Sequence, residues 1–152
     1  MKKSIDLVAL TLGSKVQIGL YRDNLCIEQI ESSEKTSEAL PKIFEQILKR
    51  FTCKRVFFAR GPGSFMAIKI TYIFLRTLAI TKGIELFASD GFYFSHDLPI
   101  KAMGKLYFVK ENGTIAVKIL PEPIETLFFL PQTIEEHCFS KEIEPLYILP
   151  AI

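Results

Sequence analysis

Residues 59–65 read Ala59-Arg60-Gly61-Pro62-Gly63-Ser64-Phe65, a tight glycine–proline turn between an apolar strand and a long apolar helix. The two glycines can take left-handed backbone angles or approach another backbone closely, and the proline between them stiffens the turn. Ser64 stands where a helix N-cap belongs, able to accept from a free amide of the first turn. A helix start of this kind can hold an anion through its backbone N–H groups and the helix dipole. It can equally be a plain structural turn, and the motif by itself does not choose between the two.

Upstream of the turn, residues 5–10, 16–21 and 25–30 form three apolar or alternating runs separated by Thr11-Leu12-Gly13-Ser14 and Arg22-Asp23-Asn24. Together they read as an antiparallel three-stranded meander. A polar run over 31–38 follows, and then Leu40, Ile43, Phe44, Ile47, Leu48 and Phe51 make the apolar stripe of an amphipathic helix. Thr36 or Ser37 is the expected N-cap, which puts Pro41 in or near the first turn. Residues 55–59 are a short buried strand that runs into the glycine–proline turn.

Downstream, residues 65–80 are apolar nearly all round, with only Lys69 and Arg76 charged, seven positions apart on one narrow stripe. Such a helix needs cover on more than one side, and a small sheet supplies only one. Gly83 is its expected C-cap, and 84–88 another strand. The order βββαβαβ therefore describes the first part of the chain. Beyond Ser89 the pattern weakens. Residues 105–110 and 114–120 flank Glu111-Asn112-Gly113 as a β-hairpin, and short apolar segments at 125–130 and 146–149 lie between prolines. The boundary between the two parts is expected near 95–99, giving lobes of 1–97 and 98–152.

The 152 residues, 49% hydrophobic and 24% charged, suit one globular domain or two small lobes sharing an interface. A net charge of +2 gives no global steering toward nucleic acid or an anionic membrane. Cys26, Cys53 and Cys138 are far apart and odd in number, which fits a reducing compartment rather than a disulfide framework. Neither a signal peptide nor a bilayer-length apolar run is recognisable, and a cytoplasmic protein without membrane attachment is expected.

Catalytic chemistry finds little to use. His96 and His137 lack the spacing that places two ligands on one helical face, and a metal at either would have to recruit distant partners. Ser64 lies in Gly-Pro-Gly-Ser, not in a G-x-S-x-G nucleophile elbow. The Glu135-Glu136 pair, and Glu142 with Glu144, read as solvated surface carboxylates. Lys49, Arg50, Lys54, Arg55 and Arg60 could meet phosphate, or could simply end a helix in a solvated basic turn. No catalytic residue, metal ligand or cofactor is expected.

With these elements in place, the chain resembles the TsaB (YeaZ) family. Arg60-Gly61-Pro62-Gly63-Ser64-Phe65 stands where that family carries R-G-P-G-S-F-T-G. Thr36-Ser37-Glu38-Ala39-Leu40-Pro41 is similar to its H-S-E-x-L-x-P helix start, and 70–79 to its long second helix. Gly104-Lys105-Leu106-Tyr107 is similar to the G-E-V-Y start of its second lobe, and Pro145-Leu146-Tyr147-Ile148 to its P-x-Y-L. The departures are equally specific. Thr11-Leu12-Gly13 replaces D-T-S, Met66-Ala67 replaces T-G, Thr36 replaces the histidine, and Lys101-Ala102-Met103 replaces D-A-R.

The resemblance implies an α/β chain with an actin-like, ribonuclease H-like N-terminal lobe and a reduced second lobe. It also implies a non-catalytic scaffold role in making threonylcarbamoyladenosine beside the tRNA anticodon. The implied partner is a TsaD-type transferase bound through the two N-lobe helices. A TsaE-type ATPase would join the larger assembly, tRNA would be met only indirectly, and the chain alone could pair with itself. The excess apolar surface of the two helices agrees with that, and Leu40, Phe44, Ile47, Ile70, Ile73 and Thr77 are the expected interface residues. A competing expectation is a small ATPase or kinase-like enzyme that uses the Gly61–Ser64 turn for phosphate. A peptidase reading has no nucleophile–base pair behind it.

Overall fold

Alternation along β1 (Lys3–Leu10) sends Ile5, Leu7 and Ala9 to one face and Val8 and Leu10 to the other, and all five are buried. A strand apolar on both sides needs cover on both sides. The computed structural model, which describes residues 2–148, supplies it with two different layers. β1 pairs antiparallel with β2 (Val16–Arg22), which pairs antiparallel with β3 (Leu25–Ser32). On the other side of β1, β4 (Phe51–Ala59) and β5 (Glu85–Ser89) add in parallel. The five-stranded sheet has the order β3-β2-β1-β4-β5, a mixed α/β arrangement.

α1 (Thr36–Arg50) and α2 (Phe65–Lys82) are the crossovers into β4 and β5, and both cover the Ile5–Leu7–Ala9 face. α1 buries Ala39, Leu40, Ile43, Phe44 and Ile47, and Phe44 meets Phe74 of α2 edge-on at 5.1 Å. The second face is covered by α3 (Gly91–Ser95), a three-stranded sheet of β6 (Ile100–Met103), β7 (Leu106–Glu111) and β8 (Thr114–Ile119), and the largely irregular chain beyond it. Val8, Leu10, Tyr21, Phe57, Phe92, Phe94, Ile100, Phe108 and Phe139 form one cluster there. Residues on both sides of position 97 thus share a single core, and the 98–148 segment roofs the sheet.

Several expectations need correction. Neither Thr36 nor Ser37 caps α1: Lys35 stands at the N-cap, its carbonyl accepting from the amides of Glu38 and Ala39 at 2.9 and 2.8 Å. Thr36 and Ser37 are already helical, so Pro41 is the sixth helical residue and falls in the second turn, where Ser37 loses an amide partner. Phe51 is the first residue of β4 rather than the last of the helix, because strand pairing with Lys3 captures it. Residues 51–54, absent from the expected 55–59 strand, belong to the same strand; Phe51, Thr52 and Cys53 pair along β1, and Lys54 is bulged out where the register shifts.

Ser64 and Gly83 do cap α2 as expected. Ser64 accepts from Ala67, and Gly83, at φ 69°, donates to Ala79. The Asn112-Gly113 hairpin forms as read, with both residues at positive φ. α3 and β6 were not legible. The segments 125–130 and 146–148 are irregular, and Leu149 lies outside the described residues. Among the described residues no helix is long and apolar enough to cross a membrane.

Candidate interaction face and the glycine–proline turn

β4 ends at the turn, and the chain doubles back through Arg60–Ser64 into α2. The turn is knitted to its neighbours by backbone bonds: Arg60 donates to Ser89 at 3.0 Å, Gly91 donates to Gly61 at 2.8 Å, and Leu146 donates to Arg60 at 2.8 Å. Gly61 has φ 112°, and a Cβ there would stand 2.8 Å from the Leu146 carbonyl oxygen. Only glycine fits such a place. The C-terminal segment lies across the turn. The Arg60 Nε donates to the Glu144 carbonyl at 2.7 Å, its guanidinium stands 3.6 Å from Glu142, and Phe65 packs edge-on against Tyr147 at 5.2 Å.

Leu12 decides what the turn can hold. Its side chain rises from the β1–β2 connection onto both Gly63 and Gly91, within 3.1 and 2.6 Å of where their Cβ atoms would be. Thr11 beside it is buried and shares a 2.8 Å hydrogen bond with Thr71 of α2. A leucine and a paired threonine therefore fill the gap between the first strand end and the helix start. Sequence reasoning noted the missing carboxylate at 11–13 but missed this filling, for which Leu12 was the available signal.

The expected interface residues divide into two groups. Leu40, Phe44 and Ile47 are buried in the core under α1, while Ile73 and Thr77 are exposed and Ile70 half-buried. Leu40 nevertheless floors a groove of about 300 Å3 between the two helices, lined also by Thr36, Ser37, Pro41, Ile70, Ile73, Phe74 and Thr77. The groove continues along α2 as a seam of Met66, Ile70, Ile73, Thr77 and Ile80, spaced alternately four and three residues apart. That is the repeat by which one helix packs along another. Met66, Ile73 and Ile80 are 67%, 53% and 74% exposed, unusually high for large apolar side chains on one stripe.

The arginines of the basic cluster are spent on internal pairs, while Lys49 and Lys54 point to solvent. Arg50 holds Glu28 through two hydrogen bonds of 3.0 and 2.8 Å, and Arg55 is bonded to Asp6 and Glu136 at 2.7 and 2.9 Å. The bonds to Asp6 and Glu136 keep the Arg55 guanidinium protonated. The Arg50 bonds hold the Glu28 carboxyl below the ordinary carboxylate range, and Asn24, which donates to Glu136 at 2.7 Å, together with Arg55 does the same for Glu136. Glu136 is therefore a structural ion-pair partner and not a merely solvated carboxylate.

No protein-family model matches the sequence, and no curated protein matches it. Solved structures do. An uncharacterized protein with similarity to peptidase YEAZ from Pseudomonas aeruginosa superposes with a TM-score of 0.61 at 14% identity, over 79% of this chain and 71% of its own. YeaZ from Pseudomonas aeruginosa superposes with a TM-score of 0.60 at 15% identity, over 78% of this chain and 67% of its own. At the level of fold, the chain is YeaZ-like, that is, TsaB-like.

Proposed function

We infer that this chain is a non-catalytic scaffold subunit that pairs with a TsaD-type threonylcarbamoyl transferase in the modification of the tRNA adenosine next to the anticodon. The observation that carries the reading is the apolar seam of α2 with the groove beside it, on a chain with a YeaZ-like fold. A partner helix laid into the groove would cover Ile73, Ile80 and Met66, at about 25 cal/mol for each Å2 removed from water. Ile70, Ile73 and Thr77 would touch it directly. Leu40 would floor the groove, and Phe44 and Ile47 would support it from beneath. The same face would pair two copies of the chain when the transferase is absent, and a TsaE-type ATPase would join the assembled pair. An actin-like lobe is the natural description of the five-stranded sheet in this reading. Co-purification of this chain with the tagged transferase of the same organism tests the reading, and recovery of the transferase alone would contradict it.

A phosphate-using enzyme is the poorer reading because Leu12 occupies the space between the first strand end and the Gly61–Ser64 turn. ATP with magnesium is therefore expected to leave the melting temperature unchanged. A rise of several degrees at saturating nucleotide would reinstate the enzyme reading.

A further inference from the structure

The short 310 turn Glu136–Cys138 belongs to the irregular chain that roofs the sheet, and it collects donors that the sequence reading kept apart. Glu135, His137 and Cys138 each offer a ligand atom, and the three atoms lie within 4.8 Å of one another. The partners expected to be distant are thus the neighbours of His137 in the chain. The turn is anchored on all sides before any ligand arrives. Cys138 donates its amide to Glu135 at 2.9 Å, Phe139 donates to Glu136 at 3.1 Å, and Ile134 donates to Asn24 at 2.8 Å. Phe139 is buried in the core, and Glu136 is held by Asn24 and Arg55 at 2.7 and 2.9 Å. Glu136 is thereby committed to Asn24 and Arg55, and Glu135 is the carboxylate of the pair that lies beside His137 and Cys138.

Glu135 accepts a 2.9 Å hydrogen bond from the Tyr93 hydroxyl. A carboxylate oriented by a second hydrogen-bonded group is the usual outer shell of a metal ligand. Glu135 and Cys138 also line a cleft of about 1080 Å3, with Asp90, His96 and Lys110 around it. An ion at the cluster would therefore stand at the edge of a solvent-filled space, with a coordination position open to water or to a small ligand.

We propose that Glu135, His137 and Cys138 bind a single divalent transition-metal ion of the zinc type. One thiolate, one imidazole and one carboxylate are the donor set that suits Zn(II) and Co(II), and the thiolate and imidazole disfavour Mg(II) and Ca(II). Binding requires the Cys138 thiol to lose its proton to solvent as the metal–sulfur bond forms. This site is independent of the pairing face: it lies on the opposite side of the sheet from α1 and α2.

The test is titration of the full chain with Co(II) alone, followed by displacement with Zn(II). The expected result is one Co(II) per chain, a thiolate-to-cobalt charge-transfer band in the near ultraviolet, and tetrahedral visible bands that Zn(II) abolishes. Cys138→Ser removes the charge-transfer band, whereas Cys26→Ser leaves it in place. His137→Ala, at an exposed position, weakens binding by at least about tenfold, and Tyr93→Phe by about tenfold. Absence of a thiolate band overturns the proposal. So does a band that survives Cys138→Ser, or binding unchanged by His137→Ala. Should Cys138→Ser fail to fold, the exposed His137→Ala variant decides the question alone.

Discussion

Thr11 and Thr71 share a 2.8 Å hydrogen bond in the interior, tying the end of β1 to the second turn of α2 with both side chains buried. Nothing else in the core joins the sheet to α2 through polar atoms among the described residues; the rest of that junction is apolar packing. Replacing Thr71 by Val strands the Thr11 hydroxyl in an apolar layer. The expected loss is about 1–3 kcal/mol, and the double change of Thr11 and Thr71 to Val should cost less than the two single changes added together. Urea unfolding of the four proteins measures this, and additive costs would show that the pair does not act as one.

Gly61 is held at φ 112° with the Leu146 carbonyl 2.8 Å from where a Cβ would stand. Gly61→Ala is therefore expected to destabilise by about 2 kcal/mol or more and to loosen the C-terminal segment that crosses the turn. Gly83 also has positive φ but open space around it, so Gly83→Ala should cost only about 1 kcal/mol. Thermal melts rank the two, and limited proteolysis near residues 140–148 should quicken for Gly61→Ala alone.

Much of this was legible in the sequence, and the reasons are local. Ser64 and Gly83 announced α2 because caps are dictated by the nearest few residues, and Asn112-Gly113 announced its hairpin because few other dipeptides accept positive φ twice. What was illegible depends on distant partners. Phe51 reads as helix by periodicity and becomes strand because Lys3 pairs with it. The short β6 acquires its strand from Tyr107 and Phe108 across the roof. In the candidate site, Ile70, Ile73 and Thr77 were found on a common seam, but only packing shows that Phe44 and Ile47 face inward. Leu12 showed only as a departure from the family's D-T-S, and Glu135 and Cys138 carried no motif at all.

Stability should fall in acid, with a direction fixed by two carboxyls. Hydrogen bonds from Arg50 hold Glu28 below its ordinary pKa, and those from Asn24 and Arg55 do the same for Glu136. A carboxyl that binds its proton less readily folded than unfolded adds stability above its unfolded pKa. That contribution disappears as pH falls through the folded value. Urea midpoints should therefore decline as pH drops through and below the ordinary carboxylate range, and Glu28→Gln should flatten the decline. A midpoint that rises on acidification would contradict the assignment.

Ile73 stands in the middle of the apolar seam on the face between α1 and α2, 53% exposed. A glutamate there meets water in the free chain, so folding should be untouched, with a melting temperature within a degree or two of the parent. In a pairing interface the same carboxylate would be buried without a partner, at a cost of several kcal/mol. The direct measurement is co-expression with the TsaD-type protein of the same organism, followed by size exclusion with light scattering. A one-to-one complex is expected for the parent chain and none for Ile73→Glu. An intact complex with Ile73→Glu, or no complex with the parent chain, would contradict pairing through this face.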